Sequence, residues 1–86
     1  MDYREQWEPR TNELLGEAFK EYRDGIDCDL HYFINDRVSG ISHGRFPVPR
    51  SEEIGNPVMH ELLRKTLPDR LNGFNPQTTE IRLEWR

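Results

Sequence analysis

The sequence predicts a single small α+β domain, in which two helices pack on one face of a three-stranded, mostly antiparallel sheet in the order α-β-β-α-β. The first observation is length, because 86 residues leave room for one hydrophobic core. The second is the helical spacing of apolar residues in two stretches, and the third is the alternation of apolar and polar residues in two others. The aromatic residues, two Trp, three Tyr and four Phe, supply anchors for that core, so we expect the chain to fold.

Residues 9–24 are predicted to form the first helix, which Gly25 is placed to end. Its apolar face carries Leu14, Leu15, Ala18, Phe19 and Tyr22. The sequence allows two starting positions for this helix. Pro9 suits a first helical position, whereas Asp2 and Glu5 have the spacing of a capping box and would begin the helix earlier, with a kink near Pro9. We expect Trp7, just before this stretch, to pack into the core.

A β-hairpin is predicted to follow. Residues 27–35 alternate, and one side of this strand carries Cys28, Leu30, Tyr32 and Ile34. Asn35-Asp36-Arg37 is turn chemistry, and residues 38–46 return as the partner strand, in which Gly40 and Gly44 weaken the strand or mark a bulge. A loop of three or five residues would place both glycines on the face of Leu30 and Tyr32, where they would let a helix approach closely.

The second half of the chain supplies a short helix and the last strand. Ser51 or Asn56 can cap the helix, and Pro68 is expected to end it, so that it covers roughly residues 57–67. Its apolar stripe consists of Val58, Met59, Leu62 and Leu63. In the loop at 68–77, Leu71 and Phe74 are expected to plug the core. Residues 78–86 alternate cleanly and predict the third strand.

Composition and charge narrow the class of protein. The net charge of −4 arises on the N-terminal side, since residues 1–36 hold ten acidic and four basic residues and residues 37–86 hold six acidic and eight basic ones. Because the chain as a whole is acidic, we expect no direct contact with nucleic acid. The sequence contains no long apolar run and no evident targeting segment, and its single cysteine, Cys28, cannot form an internal disulfide. We expect a cytoplasmic protein with no membrane contact and no cofactor.

The strongest candidate for a binding site is an acidic row on the first helix. It consists of Glu13, Glu17, Glu21 and Asp24, whose spacings of four, four and three residues place them on one face, opposite the apolar stripe. Stacked like charges cost a few tenths of a kcal/mol per pair, roughly. The row either meets a basic partner, where spaced carboxylates imitate nucleic-acid phosphates, or is an ordinary solvated helix face.

The sequence favours neither a metal site nor an active site. Cys28 and His31 lie an odd number of residues apart on a strand and therefore point to opposite faces of the sheet. His31 and His43 would approach each other on the outer sheet face if the hairpin loop were residues 36–38. Catalysis needs a cleft, whereas the strands place these side chains on a flat surface. We expect a protein that is not an enzyme.

The outer face of the sheet is a second candidate contact surface, because Phe33 and Ile41 lie on the side that the helices do not cover. The leading hypothesis is a non-enzymatic inhibitor or regulator whose acidic helix occupies the basic, nucleic-acid-handling site of a partner protein. Phage-type anti-defence factors of the anti-CRISPR kind are the analogy. The alternative is a homodimer or complex subunit that pairs through an edge strand or the outer face. A small enzyme or ligand binder using His31, His43 or Asp29 is a third hypothesis.

Overall fold

The computed structural model describes residues 2–21, 29–47 and 57–86, with side chains throughout these ranges except at 57–59. They form helix α1 (Arg4–Glu21), strand β1 (Leu30–Asp36), strand β2 (Gly40–Phe46), helix α2 (Pro57–Arg70) and strand β3 (Thr79–Trp85). The strands lie in the order β2-β1-β3, and β1 pairs antiparallel with both neighbours. The predicted α+β class and element order are confirmed.

Helix α1 begins at Arg4, so the earlier of the two predicted starts is correct. The Asp2 carboxylate accepts a hydrogen bond from the Arg4 backbone N–H at 2.9 Å, which satisfies one of the donors left free at this end of the helix. Pro9 lies inside the helix, where its missing N–H leaves the Glu5 carbonyl without its usual partner. Both residues are exposed, so water can replace that bond. The predicted end at Gly25 lies outside the described residues.

Two tryptophan indoles fasten α1 to the rest of the domain. Trp7 is fully buried, as predicted, and its Nε1 donates to the Phe74 carbonyl at 2.8 Å. Trp85, on β3, donates from Nε1 to the Ala18 carbonyl at 2.8 Å. Each ring therefore adds apolar area to the core while its N–H keeps a partner. The buried apolar core consists of Trp7, Leu15, Ala18, Leu30, Ile34, Phe46, Leu63, Leu67, Leu71 and Ile81.

The helices cover one face of the sheet. Helix α1 packs against α2 and β3. The register pairs Leu30 with Phe46 and Ile34 with Ile81, so these buried residues project from the same face. Residues at odd-numbered positions of β1 project from the other face, which no described helix covers. The predicted packing of two helices on one face is confirmed.

The hairpin loop consists of Arg37, Val38 and Ser39. Strand β1 continues through Asp36, which pairs with Gly40, so the predicted turn at residues 35–37 and the predicted start of β2 at residue 38 are both early by two residues. The reason is that Asp36 points inward and forms hydrogen bonds there. Gly40 has a φ of +91°, which suits the residue that closes a three-residue hairpin loop and which other residues rarely adopt.

At Gly44 the ring of Tyr32 crosses β2. The register pairs these two residues, which confirms that both glycines share a face with Tyr32. A Cβ atom at Gly44 would overlap the outer end of the Tyr32 ring. Arg70 holds that ring, since its Nη1 donates to the Tyr32 hydroxyl at 3.0 Å and its guanidinium lies 4.3 Å from the Phe46 ring centroid. The close approach that requires glycine is therefore made by a side chain rather than by a helix.

Helix α2 runs to Arg70 and contains Pro68, so the prediction that Pro68 ends it near residue 67 is wrong. Pro68 costs the helix one hydrogen bond, because the Arg64 carbonyl loses its usual donor. The proline ring is fully buried, and this burial offsets the lost bond. The chain leaves the helix through a tighter turn, in which the Leu71 N–H donates to the Pro68 carbonyl at 3.1 Å.

The apolar stripe of α2 is displaced from the predicted one. Leu63, Leu67 and Leu71 follow at intervals of four residues and are all buried, whereas Leu62 is 57% exposed. The side chains of Val58 and Met59 lie outside the described residues. Leu71 is fully buried and Phe74 packs half-buried against the core, which confirms their predicted role as plugs.

The carboxylate of Asp36 joins the hairpin loop to β3. Its Oδ2 accepts hydrogen bonds from the Ser39 backbone N–H at 2.8 Å and from the Ser39 hydroxyl at 2.6 Å. Its Oδ1 accepts from the hydroxyls of Thr79 at 2.7 Å and Thr78 at 3.0 Å. The side chain is buried. These bonds, led by the Ser39 hydroxyl, hold the pKa of Asp36 well below its usual range, because they favour the charged form.

Replacing Asp36 with asparagine is expected to destabilise the fold, because an amide offers one acceptor oxygen where the carboxylate offers two. Since the native pKa lies below the unfolded value of 3.8, the carboxylate stabilises the fold above that pH and loses this contribution as the solution becomes more acidic. Urea unfolding followed by circular dichroism at several acidic pH values should therefore show a steeper loss of stability in the wild type than in Asp36→Asn. Glu61→Gln, at an exposed helix carboxylate, is the control. An equal acid dependence in wild type and Asp36→Asn would contradict this assignment.

Two glycines should respond to alanine in opposite directions. Gly44→Ala is expected to lower the free energy of unfolding by about 1–3 kcal/mol, because the new methyl group overlaps the Tyr32 ring. Gly16→Ala, inside α1 where an added Cβ meets nothing within 4 Å, is expected to raise it by about 0.5–1 kcal/mol. Urea denaturation of both variants measures the two changes. The same sign for both would show that the Tyr32 contact does not control Gly44.

Candidate functional site

Three members of the acidic row lie along the solvent side of α1, as predicted. Glu13, Glu17 and Glu21 are exposed. Among the described residues, none offers these side chains an ion pair or a hydrogen bond. The fourth member, Asp24, lies outside the described residues. By contrast, Asp69, an exposed acidic residue on α2, forms an ion pair with Arg4 at 3.7 Å.

The regular spacing of the acidic row has an electrostatic cost. Four residues of α-helix rise by about 6 Å, so each glutamate faces the next across one turn. Like charges at this spacing destabilise an exposed helix by about 0.2–0.5 kcal/mol per pair, less at high salt. Lys20 is the one basic residue within this part of α1; it stands three residues after Glu17, a spacing at which helix side chains are neighbours, but the two form no ion pair. The row therefore presents a line of negative charge that no ion pair within the described residues neutralises.

A shallow groove of about 210 Å³ runs between α1 and β3 beside the acidic row. Leu14, Ala18, Ile81 and Leu83 supply its apolar lining, and Glu17 and Glu21 supply its acidic lining. Arg82 also borders the groove, but its guanidinium lies over Phe33 on the other face of the sheet. The groove can take an aliphatic chain whose cationic end reaches the two glutamates. Sequence reasoning missed it because α1 and β3 are distant in the chain, and no local pattern says which strand α1 packs against.

The outer face of the sheet is centred on Phe33, in the middle strand. On the β2 side its ring stacks on His43, with centroids 4.5 Å apart and planes 4° apart. On the β3 side the guanidinium of Arg82 lies 4.7 Å from the ring centroid, and that of Arg86 lies 5.0 Å from it. Phe33 is half-buried by these contacts. Its own neighbours therefore occupy the sides of the ring that a stacking ligand would use.

Ile41, the other predicted residue of this face, is 78% exposed. It borders a shallow depression of about 450 Å³, to which Phe33, Asn35, Glu80 and Arg82 also contribute. The outer face therefore combines an apolar spot with charged residues of both signs.

His31 and His43 meet on the outer face, although not in the register that would pair them across the hairpin. Phe33 stands opposite His43, and His31 lies diagonally, with its Nδ1 2.7 Å from Nε2 of His43. One of these two nitrogens must donate and the other accept. The pair lies on an open sheet face rather than in a cleft.

Charged groups beside the histidines form a local network. The Arg86 side chain donates a hydrogen bond to Glu84 at 3.1 Å, and this bond is the main reason that the pKa of Glu84 is lowered, with the charges of Arg86, Arg82 and His31 adding to it. Across the sheet, Arg45 pairs with Asp29 at 3.5 Å. Within residues 2–21, 29–47 and 57–86, no group of three or more His, Cys, Asp or Glu side chains could hold a metal ion.

A polar cleft that the sequence did not predict lies at the loop end of the sheet. It has a volume of about 290 Å³ and brings together Arg10 from α1, Arg37 from the hairpin loop and Gln77 from the segment before β3. No local signal connects these positions, because they come from three separate segments of the chain and meet only in the folded domain.

None of the helices in the described part of the chain is long and apolar enough to cross a membrane. Comparisons with protein-family models, with curated proteins and with solved structures found no match to this chain.

Proposed function

We propose that this protein is a non-enzymatic inhibitor or regulator that binds a basic site on a partner protein through the acidic row of α1. The observation that carries the proposal is the set of exposed carboxylates of Glu13, Glu17 and Glu21, which lie at one-turn spacing and have no described partner. A partner with complementary positive charge would remove the repulsion within the row and gain in association rate.

The proposed partner is a nucleic-acid-handling protein. Such proteins hold the phosphate backbone as a line of negative charge, largely without regard to base sequence. The acidic row is a line of carboxylates on a helix, with about 6 Å between successive members. It can therefore occupy a phosphate-binding site and exclude the nucleic acid from it.

The groove between α1 and β3 supports the same partner class. Lysine and arginine bury their aliphatic stems against apolar surface while the charged end stays in water or meets a carboxylate. Leu14 and Leu83 offer such a surface next to Glu17 and Glu21. This pairing would add shape selectivity to a charge interaction that is otherwise screened by salt.

The anchoring of α1 favours affinity. Trp7, in the first half of α1, donates to the Phe74 carbonyl, and Trp85 donates to the carbonyl of Ala18, near the end of α1, both at 2.8 Å. The helix backbone is thus ordered before the partner arrives, so binding loses little backbone entropy.

The proposal includes a cytoplasmic location and no direct contact with nucleic acid or membrane. The single cysteine, Cys28, supports this location, because a domain built for an oxidising compartment commonly uses disulfides. Phage-type anti-defence proteins of the anti-CRISPR kind remain the analogy for a small acidic inhibitor.

The test compares capture of proteins from a native-host lysate by three tagged proteins. They are the wild type, the row variant Glu17→Lys/Glu21→Lys and the control Glu8→Lys/Glu61→Lys, which changes the net charge equally at exposed sites outside the row. We expect the wild type and the control to retain a nucleic-acid-binding protein that the row variant binds at least about tenfold more weakly. A DNA or RNA oligonucleotide that the captured protein binds should release the captured protein from the tagged wild type.

Three outcomes would overturn the proposal. The first is that the row variant retains the captured protein as well as the wild type does. The second is that the control loses it as fully as the row variant does. The third is that the captured protein binds the oligonucleotide and this protein at the same time. Circular dichroism of each variant must first match the wild type, so that a folding defect is not read as a binding defect.

A homodimer that pairs through the outer sheet face is the second candidate. It is favoured by Ile41, which is 78% exposed, and by charges that suit a two-fold contact. The acidic groups of this face are Asp29, Glu80 and Glu84, and the basic ones are Arg45, Arg82 and Arg86.

Light scattering over a range of concentrations tests the dimer. We expect the mass to rise towards that of two chains, and Ile41→Asp to shift the midpoint to at least about tenfold higher concentration, since a buried charge without a partner costs several kcal/mol. Val38→Asp, at a loop residue that is 86% exposed, is the control. A constant monomer mass, or an equal effect of both substitutions, would exclude this dimer.

A further inference from the structure

The polar cleft lies where the end of β1, the hairpin loop and the start of β3 meet α1. Its volume is about 290 Å³, close to the lower limit for small-molecule sites. The residues that matter for its chemistry are Arg10, Asn35, Arg37, Gln77 and Glu80. Two arginines, an asparagine and a glutamine thus border the same small space, together with one glutamate.

One side of the Arg10 guanidinium is held by contacts within the domain, and the other side has donors available for a ligand. Its guanidinium lies 5.1 Å from the Trp7 ring centroid, and its Nη1 donates to the carbonyls of Pro76 at 3.4 Å and Thr79 at 3.3 Å. These contacts use Nη1 alone and leave the Nε and Nη2 donors available. Within the described residues no carboxylate pairs with Arg10.

Arg37 is positioned by its backbone rather than by its side chain. Its N–H donates to the Thr78 carbonyl at 3.1 Å, and Asp36 beside it binds both Ser39 and Thr79. Hydrogen bonds therefore fix both ends of the hairpin loop. The Arg37 guanidinium is exposed and has no partner among the described side chains.

We propose that this cleft binds a phosphate group. A planar carboxylate is satisfied by the fork of one guanidinium, whereas a phosphate carries oxygens in several directions and can accept from two guanidiniums and the flanking amides together. At about 290 Å³ the cleft has room for a phosphate group together with part of the molecule that carries it. Glu80 opposes the anion and limits its affinity, so the site suits reversible binding.

The experiment is a titration of the purified wild-type protein followed by amide NMR shifts at constant ionic strength. The probes are inorganic phosphate, a nucleoside monophosphate and acetate. Both phosphate probes should shift the amides of Arg37 and of the segment 77–80 in a saturable way, whereas acetate should not saturate in the same concentration range.

Three variants separate a built site from general charge attraction. Arg37→Gln is expected to weaken phosphate binding by about tenfold or more, because it removes a charge-assisted pair. Glu80→Gln is expected to strengthen it, because it removes the opposing charge. Arg64→Gln, an exposed arginine on α2 outside the cleft, should leave the affinity unchanged.

The proposal is overturned if phosphate causes no saturable shift, if acetate binds as tightly, or if Arg64→Gln and Arg37→Gln weaken binding equally. Weaker binding in Glu80→Gln would also overturn it. The assay uses this chain alone, so its result is independent of whether the acidic row has a protein partner.

Discussion

The carboxylate of Asp36 is a single group on which three segments of the chain depend. It ends β1, accepts two hydrogen bonds from Ser39 in the hairpin loop and binds the hydroxyls of Thr78 and Thr79 where β3 begins. Because side chains on a strand alternate between faces, a slip of one residue in either pairing would exchange the core face with the outer face. A buried anion that needs donors from both neighbours penalises such a slip, since any other register leaves it without them. The positions of Phe33 and of the polar cleft both follow from this register.

The second constraint is the way α1 is attached. Trp7 and Trp85 come from different parts of the chain, yet each donates its indole N–H to a backbone carbonyl across the contact with α1. Hydrogen bonds at fixed positions restrict rotation of the helix about its axis, whereas packing of an apolar stripe alone would permit such rotation. Leu15 and Ala18 are thereby held inward. Glu17 and Glu21 must then face solvent, so the exposure of the acidic row follows from the packing of the opposite side.

The periodic spacing of apolar residues predicted most of the fold, because the strands have one buried face and α1 has one buried stripe. It failed where a tertiary contact overrides a local rule. Pro68 stays in its helix because its ring is buried, and Asp36 belongs to a strand because β3 supplies its donors. The acidic row was visible because its members lie on one helix. The cleft was not visible, because Arg10 and Arg37 come together only after the sheet has formed.

The two candidate surfaces share α1, and their fields oppose each other. Arg10 and Glu13 are three residues apart, an axial rise of about 4.5 Å, which is well within the screening length of about 10 Å at 0.1 M salt. The acidic row therefore repels an anion that approaches the cleft and cannot help to bind it. Affinity in the cleft has to come from short, directed hydrogen bonds of the guanidiniums. Binding of a basic partner to the row, by contrast, relies on long-range attraction. Added salt should therefore weaken partner binding at the row and reduce the repulsion that the row exerts on an anion at the cleft.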